Sequence, residues 1–186
     1  MEATLLVAGE RGYRHTSVAA VVERYGGYRL QFYREFKNLD DAFAGAYEAH
    51  ADRLTGRLLA AGAAAAGWRE GLRAALGELA EFLTAQPLPA RGLLLEVHVA
   101  GGRALAHRNE VVERLSRAID SARRETGSRH SPPPVTGRFM VSAIESVAIR
   151  ALAAGKPESF AEATPDLEQV ICTAYFGDEL ERGQGD

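Results

Sequence analysis

Cysteine is almost absent from this sequence, and it has no long hydrophobic run. Cys172 is the only cysteine, so no disulfide can form within the chain, which favours a reducing compartment. No apolar stretch approaches the roughly 20 residues that a membrane-spanning helix needs, so we expect no membrane partner. The first residues also lack the basic start of a signal peptide. We therefore expect a cytoplasmic protein.

Signatures of catalysis are missing as well. The sequence contains no Gly-x-Ser-x-Gly nucleophile motif, no phosphate-binding Gly-x4-Gly-Lys-Ser/Thr, no Gly-x-Gly-x2-Gly and no His-Glu-x2-His. The five histidines show no metal-ligand spacing such as His-x3-His, and no cysteine cluster accompanies them. We expect neither enzyme activity, nor a cofactor, nor a metal site.

An excess of positive charge is the third absence. The 22 lysines and arginines are outnumbered by 25 acidic residues, and the formal net charge is -3. Phosphate attraction scales with the number of cations placed against a nucleic-acid backbone, so the overall charge indicates at most modest non-specific binding. Only the local balance favours DNA, because residues 28–37 hold Arg29, Arg34 and Lys37 against Glu35.

The most informative stretch is residues 16–43, whose pattern indicates two short helices across a glycine turn, followed by the cap of a third. The first helix has one apolar face at the spacing i, i+3, i+4 and i+7, formed by Val18, Val21, Val22 and Tyr25. Thr16 or Ser17 suits its start, and Gly26 follows where a chain leaving a helix needs positive φ. This is the pattern of a helix-turn-helix.

The second helix of this unit has an aromatic inner side and a polar outer side. The inner side is formed by Phe32, Tyr33 and Phe36, and the residues that point elsewhere are Arg29, Gln31, Arg34 and Lys37. Arginine and glutamine suit base edges in a major groove, while Arg, Lys and Tyr can all reach phosphates. The alternative is an ordinary solvated face, since any surface helix carries a few charges.

A family resemblance is carried by Gly12-Tyr13, Thr16-Ser17-Val18, Glu23-Arg24-Tyr25-Gly26, Phe32-Tyr33, Phe36 and Asn38. These residues resemble the DNA-binding domain of the TetR family of bacterial regulators. The stretch 93–102 and the ending Tyr175-Phe176-Gly177 resemble the C-terminal domain of a subgroup of that family. The resemblance implies an all-α homodimer, with residues 1–45 as the helix-turn-helix domain and residues 46–186 as a helical effector-binding and dimerisation domain.

The resemblance also implies a function, a transcriptional repressor that leaves double-stranded operator DNA when a small-molecule effector binds. The residues that would face bases are Tyr28, Arg29 and Gln31, and those that would hold phosphates are Ser17, Tyr33, Arg34 and Lys37. A second hypothesis stays open, in which the same fold no longer reads DNA and acts as a ligand-binding or protein-binding dimer.

Several positions depart from the family pattern. Gly27 and Tyr28 stand where members usually have a small hydrophobic residue and then a Ser or Thr that caps the recognition helix. Losing that cap should cost about 1 kcal/mol. Leu39 replaces a common lysine, for which Lys37 is a substitute. We also expect the first helix to lack its usual first turns and basic arm, from either a misplaced start codon or a reduced DNA-binding unit.

The rest of the chain indicates helices. A long helix is predicted from about Leu39 to Leu59, followed by five more helical segments. One of these, from about Ala90 to Ala100, is apolar on nearly all sides and so should be central, and another should start at Thr164-Pro165. Residues 125–134 form the one clear predicted loop.

Candidate effector contacts and candidate dimer contacts come from these segments. Glu96 and His98 lie in an otherwise apolar helix, so they either line an effector pocket or bond to solvent or a neighbouring helix. The apolar pocket candidates, which would be core residues by default, are Trp68, Phe82 and Met140. The last two helices are apolar over more than one face, which favours a four-helix dimer interface over burial within one protomer. The interface candidates are Ile144, Val147, Ala151, Ile171 and Tyr175.

Overall fold

Helices make up the described part of the chain, residues 2–121 and 132–177 of a computed structural model, with no strand in those ranges. The helices are α1 Glu2–Arg11, α2 Val18–Tyr25, α3 Arg29–Glu35, α4 Leu39–Ala63, α5 Trp68–Ala85, α6 Pro87–Arg91, α7 Val97–Ala100, α8 Gly102–Asp120, α9 Thr136–Ala153 and α10 Ser159–Phe176. A short 3-10 helix spans Tyr13–His15 and a π-helix spans Gly92–Glu96. The predicted all-α fold is confirmed. Most of the loop predicted over residues 125–134 lies outside the described residues.

The helix ends near the N-terminus follow from local side-chain chemistry. The Ser17 hydroxyl accepts a hydrogen bond from the Ala20 N–H at 3.2 Å and caps α2. Gly26 ends that helix with φ of 72°, in the left-handed region that favours glycine. The Asn38 side chain accepts from the Asp41 N–H at 2.8 Å and caps α4. These three signals were predicted from the sequence, and all three are confirmed.

Two hydrophobic clusters hold the molecule together. The smaller one joins α1, α2, α3 and the start of α4, and its buried members are Ala3, Val7, Val21, Phe32 and Ala42. We call α1 to α3 with the first turn of α4 the head. The larger cluster fills the rest of the molecule, the body, and it includes Leu5 of α1 and Phe43 of α4. Since α1 and α4 contribute to both clusters, the head is not a separately packed unit.

The head also contacts the body through close backbone approach. Gly9 of α1 lies directly against Leu88 of α6, so that a Cβ built on Gly9 would overlap the Leu88 carbonyl oxygen. The Arg91 guanidinium donates to the Gly9 carbonyl at 3.0 Å and to the Leu152 carbonyl of α9 at 2.8 Å. One side chain therefore links α1 of the head to α6 and α9 of the body.

Two sequence-based boundaries were wrong. The predicted apolar helix at Ala90–Ala100 belongs to a longer run that begins at Pro87, because proline suits the first turn of a helix. The last helix begins at Ser159, and Pro165 lies inside it. Pro165 has no N–H to offer the Ala161 carbonyl, but the Thr164 hydroxyl donates to that carbonyl at 2.9 Å. The lost backbone bond is thus replaced.

Substitution of Gly9 tests the close approach of head and body. We expect Gly9→Ala to lower the free energy of unfolding by about 1 to 3 kcal/mol, because the added methyl group must displace backbone. The matched control is Gly56→Ala on α4, where nothing lies within 4 Å of the added Cβ. That change should stabilise the helix by about 0.5 to 1 kcal/mol. Urea unfolding followed by circular dichroism measures both, and equal midpoints for the two variants would contradict this contact.

Candidate functional site

The outer face of α3 is the first candidate site. Phe32 is 2% exposed and anchors the helix in the head cluster. At about 100° per residue, Leu30 and Arg34 lie nearly opposite Phe32 and face away from the protein. Arg29, Arg34 and Lys37 are exposed and form no ion pair with another described residue. Three free cations on one short segment give this face a local positive charge despite the net charge of -3.

The turn between α2 and α3 is organised around the side chain of Tyr25. The Tyr25 ring occupies the space beside Gly27, where any side chain at position 27 would overlap it. The Tyr25 hydroxyl donates to the Tyr28 carbonyl at 3.2 Å and crosses the turn. An aromatic ring two residues earlier thus fills the place of the small hydrophobic residue that was expected at position 27.

The start of α3 has one half of a capping box, formed by Gln31. The Gln31 side-chain oxygen accepts a hydrogen bond from the Tyr28 N–H at 3.0 Å, as in one half of a capping box. The Tyr28 side chain makes no capping hydrogen bond, so the expected loss of the Ser/Thr-type cap is confirmed, and only the reciprocal bond from Gln31 remains. Gln31 was predicted to face bases, and in this structure its amide oxygen is engaged with the backbone. Tyr28 itself is 76% exposed at the tip of the turn.

The remaining DNA-contact candidates surround this face. Ser17 is exposed, although its hydroxyl caps α2. Tyr33 is exposed, and its ring packs edge-on against Phe32 with centroids 5.4 Å apart. The Lys37 side chain is exposed and forms no ion pair with a described residue. The Lys37 N–H donates to the Asp41 carboxylate at 3.1 Å, which lowers the pKa of Asp41, and the Lys37 charge contributes to that lowering. Sequence reasoning missed Leu30, whose position opposite Phe32 was available from helical spacing.

A cavity of about 650 Å³ lies between α4, α5, α8 and α9 and is the second candidate site. Its walls are mostly leucine, isoleucine, alanine and glycine, and Arg117 is the only ionisable side chain among the described residues that line it. Small residues 63–67, in the turn between α4 and α5, form part of its solvent side. Such a volume and lining suit a small molecule with an apolar body.

Of the five effector-pocket candidates, only Trp68 lines this cavity. Phe82 and Met140 are buried core residues outside its lining. The Glu96 carboxylate accepts a hydrogen bond from the Tyr13 N–H of the head at 2.7 Å, and His98 is exposed on α7. Glu96 thus bonds to a neighbouring element and His98 is exposed to solvent, which were the alternatives to lining an effector pocket.

Trp68 connects the cavity to the last helix. Its ring N–H donates to the Ile119 carbonyl at 3.1 Å, and the ring packs against Tyr175 and Phe176 of α10. The Tyr175 hydroxyl donates to the Asp120 carboxylate at 2.6 Å. Two arginines of α5, Arg69 and Arg73, also bind Glu168 of α10, and the hydrogen bond from Arg73 is the main reason that the pKa of Glu168 lies below its usual range. The cavity wall is thereby held against α10.

Three of the dimer-interface candidates are buried within the protomer. Ala151, Ile171 and Tyr175 belong to its core, so they are not surface residues that a second copy could contact. Ile144 lines the cavity and Val147 packs partly against the core. The apolar side chains that α9 and α10 do expose are Phe139, which is 66% exposed, and Val170, which is 57% exposed. Helical periodicity showed that these helices have two apolar sides, but it did not show which side faces the core.

These features define a class of protein, an all-helical chain with a helix-turn-helix head and a cavity in its helical body. The fold is that of the TetR-family transcriptional regulators, and the resemblance predicted from the sequence is confirmed at that level. No protein-family model and no curated protein matches the chain in sequence. None of the described helices has both the length and the hydropathy needed to cross a membrane.

Three solved structures illustrate the likeness. The fatty acid degradation regulator FadR from Bacillus halodurans is 14% identical, with a TM-score of 0.81 over 91% of this chain and 90% of its own. FadR from Bacillus subtilis, solved in complex with stearoyl-CoA, is 14% identical, with a TM-score of 0.80 over 92% of this chain and 95% of its own. A TetR-family regulator from Pectobacterium atrosepticum is 22% identical, with a TM-score of 0.72 over 94% of this chain and 93% of its own. At these identities the likeness shows the fold alone.

Proposed function

We propose that this protein is a dimeric transcriptional repressor that binds operator DNA through its head and is released by a small-molecule effector in its body. The observation that carries the proposal is the exposed surface of α3 and of the two residues after it, where Arg29, Arg34 and Lys37 form no ion pair with any described residue. Free cations beside a well-anchored short helix suit the major groove and its flanking phosphates. The turn organised around Tyr25 supports this role, because it holds the start of α3 in place.

In the bound complex each head would place α3 in the major groove. Tyr28 and Arg29, at the start of the helix, would face base edges, and an arginine can donate two hydrogen bonds to a guanine. Ser17, Tyr33, Arg34 and Lys37 would hold phosphates and fix the position of the helix. The Gln31 side-chain oxygen is bound to the Tyr28 N–H, so Gln31 would contact a base through its NH2 group, and a bidentate contact with adenine would require that bond to break.

The body cavity would bind an effector with a long apolar part. Apolar walls stabilise such a ligand by removing its surface from water, at about 25 cal/mol for each Å². Arg117 is exposed at the edge of the cavity, where it can pair with an anionic group on the ligand. FadR from Bacillus subtilis, which has this fold, was solved with stearoyl-CoA. We propose a fatty-acyl compound with an anionic head as the effector class.

Two helices would carry the signal from cavity to head. α4 runs as one helix from Leu39, packed in the head cluster, to Ala63, which lines the cavity. α8 lines the cavity at its C-terminal end, and near its N-terminal end Arg103 donates to Asp41 at 2.9 Å and to Glu48 at 2.7 Å. An effector that binds better when these helices are displaced would shift the two heads away from the spacing that the operator needs.

The second copy would pack on the exposed apolar residues of α9 and α10, Phe139 and Val170. Two helices from each protomer would then form a four-helix interface. This pairing doubles the number of cations that face the operator, which compensates for the modest charge of a single head.

A binding titration tests the operator proposal. We expect the purified protein to bind DNA from upstream of its own gene more tightly than a scrambled duplex at two salt concentrations. Arg29→Ala should reduce the free-energy difference between the preferred base and other bases by about 1 to 3 kcal/mol. Lys37→Ala should weaken binding to all duplexes alike, and the number of ions released on binding, read from the salt dependence of the affinity, should fall by about one per head. Equal binding of both duplexes by a folded dimer would instead favour a ligand-binding or protein-binding protein that no longer reads DNA.

Filling the cavity tests the effector proposal. Trp68 is the only tryptophan and lines the cavity, so its fluorescence can follow a titration with stearoyl-CoA. Ala75→Phe, which places a ring in the cavity, should weaken binding about tenfold, or about 1.4 kcal/mol. The matched control Ala74→Phe points to solvent one residue earlier and should leave binding unchanged. Similar affinities for the two variants would argue against this cavity as the effector site.

A charge placed on the exposed face of α9 tests the dimer. Phe139→Asp should convert the dimer to a folded monomer, because a carboxylate would be buried without a partner in an apolar interface. Val99→Asp on α7 is the control, since Val99 is also exposed and α7 packs mainly on α4, α8 and the short 3-10 and π-helices. Analytical ultracentrifugation gives the masses, and a dimer that survives Phe139→Asp would place the interface elsewhere.

A further inference from the structure

Leu30 is an exposed leucine at the centre of a charged surface. Its side chain is 74% exposed, and it belongs to neither of the two hydrophobic clusters. It precedes Phe32 by two residues and so lies about 200° from it around the helix axis, which points it directly away from the head. Packing within the protomer therefore does not account for a leucine at this position.

The surroundings of Leu30 indicate what would cover it. Arg29 precedes it, and Arg34 follows one turn later on the same line of the helix. Neither arginine is paired with another described residue. An apolar group that lies between cations suits a ligand with negative charges on its outside and an apolar group further in. An apolar protein surface suits it poorly. Double-stranded DNA has this chemistry, with phosphates on the outside and base edges in the groove.

Only one base edge in the major groove offers an apolar group. Thymine carries a methyl group at C5, whereas the other bases present hydrogen-bond donors and acceptors there. A leucine side chain cannot donate or accept a hydrogen bond, so the thymine methyl group, which is larger than the C5–H of cytosine, is its most favourable contact among base edges. The first turn of a recognition helix is also the part that reaches the bases in helix-turn-helix proteins, and Leu30 lies in the first turn of α3.

We propose that Leu30 reads the 5-methyl group of a thymine in each half of the operator, a role that rests on the proposed function. Leu30 thereby becomes a specificity-determining residue beside Arg29. The contact would remove the exposed leucine surface from water when DNA binds, and it would require no change in the cap formed by Gln31.

Replacing thymine with deoxyuridine isolates this contact, because the exchange removes only the methyl group. Once the full-length protein has a defined operator, each thymine is exchanged in turn and dissociation constants are measured for wild type and for Leu30→Ala. For wild type, one thymine in each half-site should show about fourfold weaker binding after the exchange, the effect of one buried methyl group. Leu30→Ala should bind the thymine and deoxyuridine duplexes equally.

Lys37→Ala is the matched control, since it should weaken both duplexes while keeping their ratio. Circular dichroism checks that Leu30→Ala retains its helices, as an exposed side chain allows. A thymine effect that persists in Leu30→Ala, or a wild-type protein that responds to no exchange, overturns the Leu30 assignment alone. A wild-type protein that binds no DNA sequence preferentially overturns both this assignment and the proposed function, so the two failures are distinguishable.

Discussion

The close packing of α1 on α6 determines how the head is placed. A glycine at position 9 allows the two backbones to meet, and the adjacent Arg91 then reaches both the Gly9 carbonyl and the Leu152 carbonyl of α9. Both carbonyls lie in the last turns of their helices, where backbone acceptors lack partners within the helix and a guanidinium stabilises them. The orientation of the head thus depends on a contact with the body, as the proposed control of DNA binding by an effector would require.

A π-helix lies beside this contact. π-helices are uncommon and often occur at functional sites, and this one spans Gly92–Glu96. Its last residue, Glu96, accepts from the Tyr13 N–H at the start of the 3-10 helix, while the Tyr13 hydroxyl donates to Asp40 at the start of α4. Tyr13 therefore joins the body, the link between α1 and α2, and α4. Asp41 adds a second bridge, since hydrogen bonds from the Lys37 N–H and from Arg103 hold its pKa below the usual range.

Signals that act within one turn of a helix could be predicted from the sequence, and signals that act between helices could not. The caps at Ser17, Gly26 and Asn38 are local, so residue type and spacing were sufficient to find them. The partner of Glu96 is 83 positions away, and no pattern indicates such a contact. Three of the five dimer candidates are core residues for a related reason, because two apolar faces on a helix look the same until the neighbouring helix is known.

Small residues near the junction of α4 and α5 do more than form a turn, because they also let the two helices pack closely beside the cavity. The long helix was predicted to end at about Leu59, but α4 continues to Ala63, and near its end it meets α5 at backbone distance, since a Cβ on Gly71 would lie 2.5 Å from the Gly62 carbonyl oxygen. Leucines of both helices near this contact, such as Leu58 and Leu72, line the cavity. A ligand that fills this space cannot push α4 and α5 apart at the glycines without breaking that contact. The proposed effector would therefore act through α4, α8 or α9, each of which lines the cavity and is joined to the head.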